Sequence, residues 1–189
     1  RRFSPKETHE IRLYLLTALF RGEIPPALIE PLAARAKVAL DLQGLLRTSE
    51  AGRFSWQDWP DKRRHLPHVA FLKADSLESA VITGSEDRRE AVRQLHAWGA
   101  GEVVLTHSSE VIAFDGRQLH AAPFAPANLS GRTGRGDTCF ASYLAWRREH
   151  GVEESLRYAA ALTSLKMETP GPFGGTAEQV LERMRRSAS

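Results

Sequence analysis

Cysteine is almost absent from this chain. Cys139 is the single one in 189 residues, which excludes an internal disulfide and fits a reducing compartment. Long apolar runs are also missing, and the longest, residues 13–20, has the length of a strand rather than of a membrane span. No secretory signal pattern opens the sequence, so the expectation is a cytoplasmic protein with no membrane partner. Charge of one sign is scarce as well: 26 Lys and Arg against 23 Asp and Glu leave a formal +3. The basic residues fall in scattered pairs (Arg63-Arg64, Arg88-Arg89, Arg147-Arg148, Arg185-Arg186) and form no stripe, so no nucleic-acid partner is expected. No internal repeat or low-complexity segment is visible.

What is present is alternation. Residues 1–10 are polar, lack a period and read as a loop or chain edge. Residues 13–20 are expected to form a buried strand. Residues 27–36 follow as a helix, with Pro26 at a first-turn position and Pro31 as the source of a kink or a later start. With a strand over 37–42 this makes a crossover unit of a parallel sheet. Residues 48–67 read as a long polar connection. A strand over 69–73 comes next, then helices over 76–82 and 86–98, the latter turning Val92, Leu95 and Trp98 to the sheet, and a strand over 102–106. Residues 111–122 carry an Asp115-Gly116 turn between two strand-like runs, a β-hairpin. Three helices close the chain, over 139–149, 152–167 and 176–184. In the first, Phe140, Leu144, Ala141 and Ala145 share one side; in the second, Leu156, Ala159, Ala160, Thr163 and Met167 form a stripe. The order predicts one α/β domain over residues 1–189, three layers deep with an antiparallel edge hairpin. In such open sheets ligands sit beyond the carboxyl ends of the strands.

The stretch Gly131-Arg132-Thr133-Gly134-Arg135-Gly136-Asp137-Thr138 falls at that end, three glycines within six residues and then a carboxylate. A glycine-rich turn that opens a helix aims several backbone N–H groups at one spot, and the helix dipole adds positive potential there. An anion is the natural occupant. Asp137 beside it is repelled by a bound anion and makes sense as a base for a nucleophile that attacks it, which is the layout of phosphoryl transfer. The plainer alternative is a tight turn whose Asp137 only caps the helix.

These residues resemble the signature of the ribokinase-like PfkB carbohydrate kinases, whose nucleotide-binding half ends in a Thr-Gly-Ala-Gly-Asp-Thr turn. Further stretches match in order. Asp41-Leu42-Gln43-Gly44-Leu45-Leu46-Arg47 is similar to that family's strand-end motif, and Lys73-Ala74-Asp75-Ser76-Leu77-Glu78 to its Asn-x-x-Glu segment. Glu102-Val103-Val104-Leu105-Thr106 resembles the strand leading to the nucleotide loop, and Ala159-Ala160-Ala161 the small-residue helix near the base. The resemblance implies a three-layer α/β/α ribokinase-like (Rossmann-like) sheet whose N-terminal part and lid are missing, since the match begins in the middle of the fold. This chain would then be the C-terminal, nucleotide-binding portion, a fragment or truncated chain.

The same resemblance implies ATP-dependent phosphorylation of a hydroxyl on a sugar or related small molecule, with ATP and Mg²⁺ as cofactors. Asp137 would be the base, and Gly134, Arg135 and Gly136 would offer N–H groups to the transferring phosphoryl. Thr106, Ser108, Thr133, Lys73 and Ala160, with Gly134 and Gly136, would meet the nucleotide. Glu78 and Asp75 would act near Mg²⁺ and its waters, with Asp75 standing where the family has Asn. Two departures are plain: Gly131 replaces the family's usual Asp, and Arg135 its Ala. The loop Thr106-His107-Ser108-Ser109-Glu110-Val111 also lacks the glycines usual after that strand. A homodimer is allowed, since lid-mediated dimers occur in similar proteins. The alternative is a catalytically inactive nucleotide-binding or regulatory member of the same fold. A dinucleotide-binding oxidoreductase is disfavoured, because the glycine turn lies late and is followed by Asp.

Overall fold

The computed structural model describes residues 12–186, so the expectation for residues 1–10 lies outside the described residues. The chain runs from β1 (Leu13–Leu16) through a 3-10 turn (Pro26–Leu28) and α1 (Ile29–Ala33) to β2 (Lys37–Asp41). Next come α2 (Gln43–Leu46), the hairpin β3 (Arg47–Glu50) and β4 (Arg53–Trp56), and α3 (Lys62–His65). β5 (Phe71–Asp75), α4 (Ser76–Thr83), α5 (Arg88–Ala97) and β6 (Glu102–Thr106) follow, then the hairpin β7 (Glu110–Phe114) and β8 (Leu119–Pro123). α6 (Arg135–Trp146), α7 (Val152–Met167) and α8 (Ala177–Arg186) complete it.

β1, β2, β5 and β6 are parallel neighbours in a six-stranded sheet ordered β1-β2-β5-β6-β7-β8, and β7 and β8 extend it antiparallel. Successive strand side chains point to opposite faces, so each central strand feeds two cores. Val38, Leu40, Leu72, Val103, Leu105 and Ile112 pack with Ile82 of α4 and Val92 and Leu95 of α5. Ala39, Val104, Val111 and Ala113 pack on the other face with Cys139, Phe140 and Tyr143 of α6 and Leu156, Ala159 and Ala160 of α7. Each buried Val, Leu, Ile or Phe side chain among them contributes about 1.5–3 kcal/mol over exposure. The outcome is the expected three-layer α/β/α arrangement with its antiparallel edge hairpin.

Local rules place the helix starts. Asp87 accepts from the Arg89 and Glu90 amides at the head of α5. Asp75 and Glu78 form a reciprocal capping box at the head of α4, which Gly84 closes at φ +76°.

Several expectations are corrected. Residues 13–20 do not form a buried strand: β1 ends at Leu16 and is an edge, with Leu15 and Leu19 exposed. The expected helix over 27–36 splits into a 3-10 turn and a five-residue α1, because Pro31 can occupy only the first turn of a helix without clashing. The polar connection over 48–67 contains β3 and β4, reversed at Ala51 (φ +48°) and Gly52 (φ +75°), the left-handed pair a tight hairpin turn requires. The helix expected from residue 139 begins at Arg135, and Ala141 and Ala145 face solvent while Cys139 and Tyr143 take the packed side. Trp98 is half-buried against the core, and Lys62 and Arg63 lie over its ring.

Candidate active site

The carboxyl ends of β5 and β6, the start of α2 and the amino end of α6 meet around a cavity of about 380 Å³. Gln43, Lys73, Asp75 and Thr106 line it on the strand side, and Arg132 and residues 134–137 opposite. Gly134, at φ +78°, is the residue before α6, a left-handed conformation that glycine adopts at no steric cost. Thr138 N–H reaches the Gly134 carbonyl at 3.0 Å, and Arg135 N–H the Arg132 carbonyl at 3.2 Å. The N–H groups of Gly134, Gly136 and Asp137 have no acceptor among the described residues. Of the three amides expected to meet a phosphoryl group, that of Arg135 is therefore engaged inside the turn. Its side chain instead lines the cavity, and its buried Nε has no partner.

Asp137 is the third residue of α6, exposed at the cavity edge, and its carboxylate makes no hydrogen bond among the described residues. It is not serving as a helix cap. Gly136 packs closely on the cavity wall: a Cβ there would stand 3.3 Å from Cε of Lys73 and 3.4 Å from its Nζ.

Behind the cavity wall lies a buried charge cluster. Lys73 Nζ donates to Oδ1 of Asp41 at 3.0 Å and approaches Oε2 of Glu78 at 3.5 Å. Glu78 is fully buried; its Oε2 accepts the Asp75 N–H at 2.7 Å, while its Oε1 has no partner. One ammonium between two carboxylates leaves negative charge in excess. Burial therefore lifts the Glu78 acid to about 7, with Asp41 and Asp75 adding to the rise and Lys73 opposing it. Burial also raises Asp41. Burial alone would lower Lys73, but the charges of Asp41 and Glu78 outweigh it and hold the lysine above its ordinary value. Lys73 is thus a fixed cation at the cavity wall.

The expected site residues separate in space. Asp137, Gly134, Arg135, Gly136, Thr106, Lys73 and Asp75 share the cavity. Ser108 does not; it lies on the exposed β6–β7 loop against the His107 ring. Ala160 is buried in α7 beside a separate cavity of about 200 Å³, with Ser164, Pro123 and Met184. Thr133 turns its carbonyl inward to Lys166. Arg47 lies apart, its guanidinium over the rings of Phe20 and Phe54. Gln43, Arg132 and Lys166 were given no role from sequence. Lys166 left a signal there: it is a lysine next to Met167 and three residues from Thr163, inside an otherwise packed stripe.

No group of three or more His, Cys, Asp or Glu that could hold a metal exists among the described residues. The oxygen donors present still fit a hydrated hard cation: Asp75 stands at the wall, and the partnerless Oε1 of Glu78 lies behind it. No helix is long and apolar enough to cross a membrane among the described residues.

A family comparison matches residues 9–177 to the pfkB family of carbohydrate kinases. This chain belongs to that family. The chain is 35% identical over 99 residues to cytidine kinase of Thermococcus kodakarensis, covering 50% of this chain and 36% of that protein. It is 30% identical over 139 residues to inositol 3-kinase of Zea mays, covering 70% of this chain and 34% of that protein. Among solved structures it superposes, with a TM-score of 0.85 and 35% identity, on a pyrophosphate-dependent kinase of the ribokinase family complexed with a pyrophosphate analog and myo-inositol. That superposition covers 93% of this chain and 64% of the other. The chain thus spans about a third of the length of the curated relatives it matches, at 36% and 34%.

Proposed function

We propose that this chain is the donor-binding portion of a pfkB-family kinase that transfers a phosphoryl group from ATP to a hydroxyl of a sugar-like small molecule. The observation that carries the reading is the cavity at the head of α6, where unengaged amides and three cations face an unpaired carboxylate. In this reading Asp137 accepts the proton of the acceptor hydroxyl. The acceptor's oxygen forms a bond to the terminal phosphorus as the bond from that phosphorus to the leaving phosphate oxygen breaks. The Gly134 and Gly136 amides, Arg135 and Lys73 stabilise the charge on the transferring group. Thr106, on the cavity wall, flanks the donor phosphates. Mg²⁺, held through water by Asp75 and Glu78, would neutralise charge on the donor. A buried, free Cys139 suits a cytoplasmic setting.

Turnover assays with ribose, myo-inositol and cytidine, on wild type and Asp137→Asn, test this reading. The expected result is loss of turnover by about 10²–10⁴-fold in the variant, with donor binding kept. Donor binding without turnover on any acceptor supports the inactive nucleotide-binding member of the fold instead. A wild type that binds no donor overturns both.

One group of contacts favours a second reading, with pyrophosphate as donor. The segment after β8, beside Ala160, is sutured to α7 and α8. Ala125 N–H donates to Ser164 Oγ at 3.0 Å, Arg183 donates to the Ala125 carbonyl at 2.9 Å, and Ala127 N–H donates to Glu168 at 2.8 Å. Those contacts already engage the polar groups of that segment, whereas the turn at the phosphate cavity keeps amides unengaged. The solved relative named above, which is pyrophosphate-dependent, supports the same choice. Competition between pyrophosphate and ATP for the wild type separates the readings: a lower KM for ATP sinks the second.

A further inference from the structure

We infer that Lys166 is a positioning residue for the phosphate-binding turn: its buried ammonium, by holding the carbonyls of Gly131 and Thr133, aims the Gly134 amide into the cavity. The inference rests on reading that cavity as the donor site.

Lys166 sits in the last turn of α7 and is only 3% exposed, between buried Thr163 and Met167. A buried ammonium is costly unless its hydrogens find acceptors. Here the acceptors are two main-chain carbonyls of the turn, those of Gly131 and Thr133. No ion pair involves Lys166 among the described residues, so backbone oxygens alone solvate the charge. The consequence follows from peptide geometry. In a planar trans peptide the C=O and N–H bonds point in opposite directions. With the Thr133 carbonyl turned inward to Lys166, the N–H of the next residue, Gly134, is turned outward, where it has no protein acceptor. Gly131 supplies the clamp on the other side. Its N–H donates to the Met167 carbonyl at 2.8 Å, and a Cβ at that position would stand 1.8 Å from the Thr169 carbonyl oxygen. The turn is therefore seated on the end of α7 with no space for a side chain. The ammonium adds a positive charge beneath the amides that would receive the anion.

Calorimetric titration of pyrophosphate and of ATP into wild type, Lys166→Met and Lys166→Gln tests the role. Each protein is measured with ammonium chloride and, at matched ionic strength, with tetramethylammonium chloride. The expected result is donor binding weakened by about tenfold or more in Lys166→Met, the effect of misdirecting one hydrogen bond to a charged group. Ammonium, small enough to donate to both carbonyls, restores it; tetramethylammonium, which has no N–H, does not. A merely structural lysine would not show that selectivity. Should Lys166→Met fail to fold, Lys166→Gln carries the comparison, because its amide still donates to a carbonyl but has no charge. Unchanged affinity in a folded variant, or a loss that ammonium fails to repair, overturns the role of Lys166 alone. A wild type that binds neither donor overturns the donor-site reading and this inference together.

Discussion

Two loops border the cavity end of the sheet, and they use their peptide groups differently. The β6–β7 loop is closed at both ends: His107 N–H donates to the Glu110 carbonyl at 2.9 Å, and the Ser109 carbonyl accepts from the Phe124 N–H beyond β8 at 2.8 Å. The turn ahead of α6 is held mainly through carbonyls, those of Gly131 and Thr133 on Lys166, and keeps the amides of Gly134 and Gly136 unengaged. Sequence resemblance assigns both loops to the nucleotide. The difference teaches that a glycine-rich turn becomes an anion site when the N–H groups nearest the helix start are left out of the contacts that hold it.

That contrast can be broken by substitution. Asp137→Asn, in the open turn, is expected to lower kcat by about 10²–10⁴-fold with little change in donor KM; steady-state kinetics with a saturating acceptor read this out. Gly136→Val places a side chain against Lys73, whose Cε would already stand 3.3 Å from the Cβ. Turnover should fall by about a hundredfold, with the thermal midpoint lowered only by a few degrees. Equal turnover in that variant would reduce the α6 turn to a plain reversal.

The cavity wall gives a pH test. Glu78 has its folded-state pKa raised from 4.5 to about 7, so the stability it contributes is fully present below 4.5 and is lost as pH rises through about 7. The loss is on the order of 3 kcal/mol. Urea unfolding on either side of that window should show it in wild type and show a flatter profile in Glu78→Gln. The smallest effect belongs to the closed loop: Ser108→Ala should change KM and kcat by less than about twofold, as expected of a surface substitution. A large effect there would erase the distinction between the two loops.

Much of the fold was legible because its signals are local. The strand over 102–106 and the helix over 152–167 are found at those bounds, since the period of apolar residues is written within each segment. The edge hairpin followed from Asp115-Gly116, within a residue at each end. Residues 13–20 misled because apolar content does not say whether a strand is central or an edge. The hairpin of β3 and β4 was hidden by polar residues whose alternation covers two exposed faces.

The site divides along the same line. Asp137 and the glycines of the turn could be named from the chain alone, because backbone freedom and the start of a helix are properties of a few neighbouring residues. The tertiary structure decided which amides stay unengaged, that the Arg135 amide is not among them, and that Ser108 and Ala160 lie away from the cavity. It also brought Lys73 to Asp41 across 32 residues and Lys166 to Gly131 across 35. No local pattern carries those pairings, since a buried charge takes its partner from whatever the packed layers bring within reach, and that choice is made by the whole fold.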